Sequence, residues 1–175
     1  SSTVNFSSPA GSYDLLSPSE FRSAVTQFGG DLSAVDGGAS TDWWDYVTRN
    51  TVSTENNLSF SNSLDKGSYR VSVGYADQQG ILEKSELQRL TYRLNAEYDL
   101  TDRLNLNLSA TMSTFDDTAP PVSGSAGYRG DFLGGALSAN PTWPIDENYD
   151  TGALINPANM IKHMRTFSEN ETLLA

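Results

Sequence analysis

The segment Leu90–Met112, LTYRLNAEYDLTDRLNLNLSATM, constrains this chain more than any other. Apolar side chains fall on alternate positions at Leu90, Tyr92, Leu94, Ala96, Tyr98 and Leu100, and again at Leu104, Leu106, Leu108, Ala110 and Met112. Only Thr101-Asp102-Arg103 interrupts them. A period of two marks a strand with one apolar face, so two long strands meet here in a hairpin. The opposite positions carry Thr91, Arg93, Asn95, Glu97 and Asp99, then Asn105, Asn107, Ser109 and Thr111. Such a ribbon buries its apolar side in a soluble core or in a lipid bilayer, and alternation alone satisfies both.

Weaker copies of the pattern recur along the chain. Val4 and Phe6 mark a short strand, and Leu58, Phe60 and Leu64 alternate with serines. Tyr69, Val71, Val73 and Tyr75 form the next run, and a last strand is expected from Met164 to Ala175. The fold class predicted is therefore mainly β, an antiparallel meander of about six strands. Its connections alternate in length: long over 9–55, short over 65–67, long over 77–89, short over 101–103 and long over 116–163. Antiparallel neighbours alternate ends, so every short turn lies at one end and every long loop at the other. Outer-membrane barrels have that asymmetry, with short periplasmic turns and long extracellular loops.

The tyrosines agree with it. Tyr69 and Tyr75 lie six residues apart, as do Tyr92 and Tyr98, a span of roughly 20 Å along a strand. Tyr69 and Tyr98 then sit near one rim and Tyr75 and Tyr92 near the other, flanking Val, Leu and Ala as lipid-interface aromatics flank an apolar band. The second face is small and polar, with Ser59, Ser61, Ser63, Asn105, Asn107, Ser109 and Thr111 around Arg70, Arg93, Glu97 and Asp99. Exposed soluble sheets carry more Lys and Glu, so this face reads as a lumen wall.

The long loops hold short helices. Ser17, Pro18 and Glu20 form a capping box with proline at the first turn, Phe21, Ala24, Val25 and Phe28 make one apolar face, and Gly29-Gly30 ends it. A second helix is expected from Thr41 to about Asn50, in TDWWDYVTRN.

Composition narrows the chemistry. A net charge of −11 argues against nucleic acid, whose phosphates require clustered Lys and Arg. There are no cysteines and one histidine, His163, which excludes thiolate chemistry and leaves little for a triad or a His-rich metal site. No run of 18 apolar residues exists to form a membrane helix, and SSTVNFSSPAGSYDLL lacks the basic and apolar regions of a signal peptide. Asp116 and Asp117 are adjacent, so on a strand they face opposite ways and make no hydrolase pair. No catalytic residue stands out, no cofactor is implied, and an enzyme is not expected. Asp146, Asn148 and Asp150 have the 1, 3, 5 spacing of a calcium loop. The glycine is one position late, however, and Pro157 stands where the bidentate acid belongs.

Taken together, NLSFSNSLDKGSYRVSVGYADQQGILEKSELQRLTYRLNAEYDLTDRLNLNLSATMS resembles the early barrel of SusC/RagA-like TonB-dependent outer-membrane transporters. The family's Tyr-Arg-x-Ser-x-Gly-Tyr strand, followed by Asp, Gln and Gly, matches Tyr69, Arg70, Ser72, Gly74, Tyr75, Asp77, Gln78 and Gly80. Its Arg-Leu-Asn matches Arg93, Leu94 and Asn95, and DLLSPSEFR, TDWWDYVTRN and NPANMIK also fit.

The resemblance implies the outer membrane of a Gram-negative bacterium. It also implies a plug inside a barrel of about 22 strands, import of glycans, peptides or other large nutrients, energy from the TonB complex, and a SusD-like surface lipoprotein as lid. The chain is expected to cover the first to about the sixth strand, with the plug that meets TonB lying outside it, lipid around the wall and 9–55 and 116–163 as extracellular loops. Trp43, Trp44 and Tyr46 either stack on a ligand or anchor the loop helix against the rim, while Tyr128, Trp143 and Tyr149 are candidate ligand or lid contacts. Two alternatives stay open: a secreted, soluble β-rich carbohydrate-binding module using Trp143, and a structural barrel without TonB coupling.

Overall fold

The structure is a computed structural model and describes residues 1–11, 13–120, 132–152, 154–162 and 165–174. Its frame is one six-stranded antiparallel sheet with the strands in chain order. These are β1 (Ser2–Ser7), β2 (Thr51–Leu64), β3 (Gly67–Gln79), β4 (Glu86–Thr101), β5 (Leu104–Ala119) and β6 (Arg165–Leu174). The opening hairpin is β4–β5, paired from Glu86↔Thr118 to Thr101↔Leu104 with one irregularity between Asp99 and Thr101. At the same end Asp65-Lys66 joins β2 to β3, where Leu64 pairs with Gly67. Gly67 is required there, because a Cβ would run into the Glu97 carbonyl and lie 3.0 Å from Tyr98 Cα.

The register proves the two faces. Leu58↔Val73↔Tyr92↔Met112 and Phe60↔Val71↔Leu94↔Ala110 run as rows across four strands, so their side chains share one side. Ser59↔Ser72↔Arg93↔Thr111 and Ser61↔Arg70↔Asn95↔Ser109 form the intervening rows on the other. Among the described residues nothing covers the apolar face: Leu58 is 76% exposed and Phe60 61%. A soluble sandwich would need a second layer here. No helix among the described residues is long and apolar enough to cross a membrane.

Strand bounds exceed those expected from alternation. β2 begins at Thr51, not near Asn57, because Thr51–Asn56 pairs with β1 and, from Thr54, with β3 as well. The loop expected over 9–55 therefore ends at Asn50. β5 continues to Ala119, four residues past Phe115, held by β4 and β6 on either side. The connection expected over 77–89 shrinks to Gly80–Ser85, since β3 runs to Gln79 and β4 starts at Glu86.

The core lies away from the sheet. It is built by α3 (Trp43–Val47), α4 (Phe132–Ser138), α5 (Pro157–Lys162) and the segment around Trp143. Trp43, Val47, Phe132, Ala136, Trp143, Ala158 and Ile161 form one buried cluster. The remaining helices are α1 (Pro18–Gln27) and α2 (Leu32–Val35), which contact each other.

Candidate functional site

The three connections that leave the same end of the sheet, at Ser7/Thr51, Gln79/Glu86 and Ala119/Arg165, assemble into one loop head. Local signals start its helices. Ser17 Oγ accepts from Glu20 N–H and Ser17 N–H donates to Glu20 Oε2 at 2.8 Å, the capping box read from the sequence. The Ser17 hydroxyl, and then its backbone amide, hold the Glu20 carboxyl below its ordinary range. Asp31 caps α2 through Ser33 N–H, and Asp42 caps α3 through Asp45 N–H at 3.0 Å. α3 spans Trp43–Val47 only, shorter than the helix expected to Asn50. Beyond it, Arg49 N–H donates to Ile81 O and Glu83 N–H to Val47 O, which draws the chain into the 80–85 loop.

Long-range contacts hold the head together. Residues 35–43 lie along 140–143: Ala39 N–H donates to Thr142 O (2.8 Å), Thr41 N–H to Pro141 O (2.9 Å), Thr41 Oγ1–H to Trp143 O (2.6 Å) and Asn140 Nδ2 to Val35 O (2.8 Å). Gly37 makes this approach possible, because a Cβ there would stand 2.6 Å from Thr142 O and 2.8 Å from Tyr149 Oη. Arg22 clasps Asp36 with two hydrogen bonds, Nε–Oδ2 at 2.8 Å and Nη2–Oδ1 at 2.9 Å, and also donates to Ala39 O. With Gly38 N–H also donating to it, the Arg22 guanidinium lowers the Asp36 carboxyl to about 2.

The aromatic candidates divide by burial. Trp43 is 2% exposed, and its Nε1–H donates to Asn140 O at 2.9 Å. It is an anchor of the buried cluster and reaches the cleft of this head only at its wall. Trp143 is buried in the same cluster, with Tyr149 tilted against it at 6.4 Å. Trp44 is half-buried; its Nε1–H reaches Gly11 O and its ring meets Tyr13 edge-on at 4.9 Å. Burial pushes the Tyr46 phenol up, with Glu83 and Glu147 adding to it. Tyr128 and His163 lie outside the described residues.

A cleft of about 1160 Å³ opens on this head, lined by Tyr13, Leu16, Val35, Trp44, Asn140 and Tyr149 among others. Asp14, Asp36, Asp42 and Asp150 also border it.

The residues at the calcium spacing make local bonds. Asp146 Oδ1 accepts from Asn148 N–H and Asp150 Oδ1 from Gly152 N–H, both as local turn bonds. Among the described residues no three acidic or histidine side chains converge as a metal would require. Asp116 and Asp117 stand on β5 opposite Gln88 and Leu87 and face opposite sides of the sheet. Asp116 accepts a hydrogen bond from Ser168 on β6.

Tyr69, Tyr75, Tyr92 and Tyr98 all belong to the apolar face, with Tyr69 opposite Ala96, Tyr98 opposite Gly67, Tyr75 opposite Leu90 and Tyr92 opposite Val73. The pairs Tyr69/Tyr98 and Tyr75/Tyr92 are thus diagonal neighbours at the two ends of the band, as the sequence spacing requires. Sequence reasoning missed Asn140 and Thr142. Asn140 Oδ1 accepts from both Thr142 N–H and Thr142 Oγ1–H at 2.8 Å, and the Asn-Pro pair at 140–141 was its only signal.

No family model matches the chain. It is 36% identical over 85% of its length to the TonB-dependent receptor SusC of Bacteroides thetaiotaomicron, of which it spans 14%. To the TonB-dependent receptors P3 and P26 of Formosa agariphila it is 31% and 27% identical over 73% and 71% of its length, spanning 13% and 11% of theirs. The fold superposes on the RagAB peptide transporter with a TM-score of 0.63 at 15% identity, covering 81% of this chain and 20% of that one. With a two-faced meander, loops gathered at one end and these relatives, the chain belongs to the SusC/RagA-like TonB-dependent receptors, the outer-membrane β-barrel proteins of Gram-negative bacteria.

Proposed function

We propose that this chain forms wall and extracellular vestibule of a TonB-dependent importer of large nutrients such as glycans or peptides. The observation that carries the reading is the division of one sheet into a mainly apolar face and a mainly polar face across β2–β5, with all long loops at one end. On this reading Leu, Val and Tyr side chains meet lipid, Ser, Asn, Arg and Glu line the lumen, and Tyr69, Tyr75, Tyr92 and Tyr98 sit at the two lipid interfaces. The ten steps from Leu90 to Leu100 span about 33 Å along the strand, or about 25 Å of height at the usual tilt, the height of the apolar band of such barrels, with Tyr92 and Tyr98 about 15 Å apart in height within its two margins.

The loop head then stands outside the cell as a rigid rim held by Trp43 and Trp143, and its cleft, with Trp44 and Tyr149 at its edge, faces substrate or a SusD-like lipoprotein lid. Energy enters through a plug that engages the TonB complex. The wall residues bind nothing covalently; their work is to exclude lipid on one side and to offer hydrogen bonds on the other. A secreted soluble module would need cover for the apolar face, and the described residues supply none.

Fractionation of source cells, blotted with an antibody to this segment, tests the assignment. A band several-fold heavier than 19.0 kDa in the outer membrane is expected; a soluble 19.0 kDa band overturns it. Growth of a strain disrupted in this gene, on oligosaccharide and on peptide sources, with and without TonB, then identifies the substrate class.

A further inference from the structure

The cleft on the loop head carries charge of one sign. Its lining includes Asp14, Asp36, Asp42 and Asp150 and, among the described residues, no Lys, Arg or His. Asp36 is neutralised in place, with both oxygens held by Arg22. The other three are exposed and keep open oxygens. Asp14 has no hydrogen-bond or ion-pair partner among the described residues. Asp42 and Asp150 each commit one oxygen to a local amide, that of Asp45 and that of Gly152. The other ion pairs among the described residues join Arg49 to Glu83 and Lys162 to Glu147, so neither cation serves the cleft.

Two rings stand next to these carboxylates. Asp14 follows Tyr13 directly, and Asp42 precedes Trp44 by two residues. The indole of Trp44 is held by its Nε1–H bond to Gly11 O at 3.1 Å, and Tyr13 meets it edge-on. Leu16 and Val35 add exposed apolar surface to the same lining. Aromatic faces attract an ammonium or guanidinium group through the ring quadrupole, Trp most strongly. The alkyl stem of a Lys or Arg packs on apolar surface while its head reaches a carboxylate.

We infer that this cleft recognises a cationic side chain, a Lys or Arg of an oligopeptide, through the Tyr13–Trp44 corner and the open carboxylates of Asp14, Asp42 and Asp150. Charge complementarity selects that occupant over a glycan. A cation relieves the mutual repulsion of three like charges, a neutral oligosaccharide leaves it in place, and an anionic one adds to it. The inference rests on the reading of the loop head as an extracellular vestibule and narrows its nutrient to basic peptides.

The test titrates the purified full-length receptor by calorimetry with pentalysine, penta-alanine, cellohexaose and hexagalacturonate. The variants are Trp44→Ala and the triple change Asp14→Asn, Asp42→Asn and Asp150→Asn. Asparagine keeps an acceptor for the local amides and removes only the charge. Heat-dependent gel mobility reports that each barrel is folded. Pentalysine is expected to bind about tenfold tighter than penta-alanine, to weaken as salt rises, and to lose about tenfold in affinity in the triple variant and about threefold in Trp44→Ala. Pentalysine binding no tighter than that of penta-alanine, or equal in the wild type and the triple variant, overturns the cationic site. Tighter binding of either hexasaccharide than of pentalysine overturns it in favour of a glycan. Loss of a co-purifying surface lipoprotein in the triple variant, with peptide binding unchanged, overturns it in favour of a lid contact. All three outcomes leave the folded barrel and its vestibule standing, whereas a receptor absent from the outer membrane removes the vestibule reading and the site together.

Discussion

An arginine placed on one face of β5 should be tolerated and on the other should not. Leu108 is the central member of the series Leu104, Leu106, Leu108, Ala110 and Met112, and it pairs with Ala96 on the apolar face. Four steps separate it from either end, about 13 Å along the strand and about 10 Å in height, which on the proposed wall reading puts it near the bilayer midplane. Leu108→Arg is expected to cost about 2–4 kcal/mol and Met112→Arg, at the edge of the band, about 0–1 kcal/mol. The first is roughly a 30- to 700-fold loss in the folding equilibrium. Asn107→Arg is the control, since Asn107 lies one residue away, on the polar face opposite Glu97. The assay is urea-dependent folding of the full receptor into lipid vesicles, read by heat-dependent gel mobility. Equal penalties at 107 and 108, or a larger one at 107, would refute the assignment of faces.

Other consequences follow from the loop head. Trp43→Ala removes a side chain 2% exposed and should destabilise the head by about 3–5 kcal/mol, seen as faster amide exchange across 35–47 and 140–143, whereas Trp44→Ala should leave both segments protected. The folded Asp36 carboxyl, at about 2 beside Arg22, lies below its unfolded value of about 4. Its contribution is therefore complete above about pH 4 and is lost as pH falls toward 2. Asp36→Asn should flatten that part of a pH titration of loop-head exchange; an unchanged acid limb would show that the clasp with Arg22 contributes nothing. Because Asp146 and Asp150 spend side-chain oxygens on local amides, a chelator should leave exchange in 146–157 unaltered, and a calcium-dependent change there would reinstate the ion.

Alternation by itself determined the strands, their faces and the end at which the short turns lie. A strand's side chains point by turns to opposite faces, so Leu104, Leu106 and Leu108 declare a common side before any partner is known. Capping did the same for α1, because Ser17 and Glu20 bond within four residues. The early start of β2 was not legible: Thr51–Asn56 is largely polar, and only pairing with β1 and β3 makes it a strand. The loop head was legible in its aromatic content but not in its organisation. Whether Trp43 faces a ligand or a core depends on Asn140, Phe132 and Trp143, which lie about a hundred positions further along the chain. Local sequence carries no trace of a contact closed over that distance; only the sheet, by bringing three loops to one end, decides it.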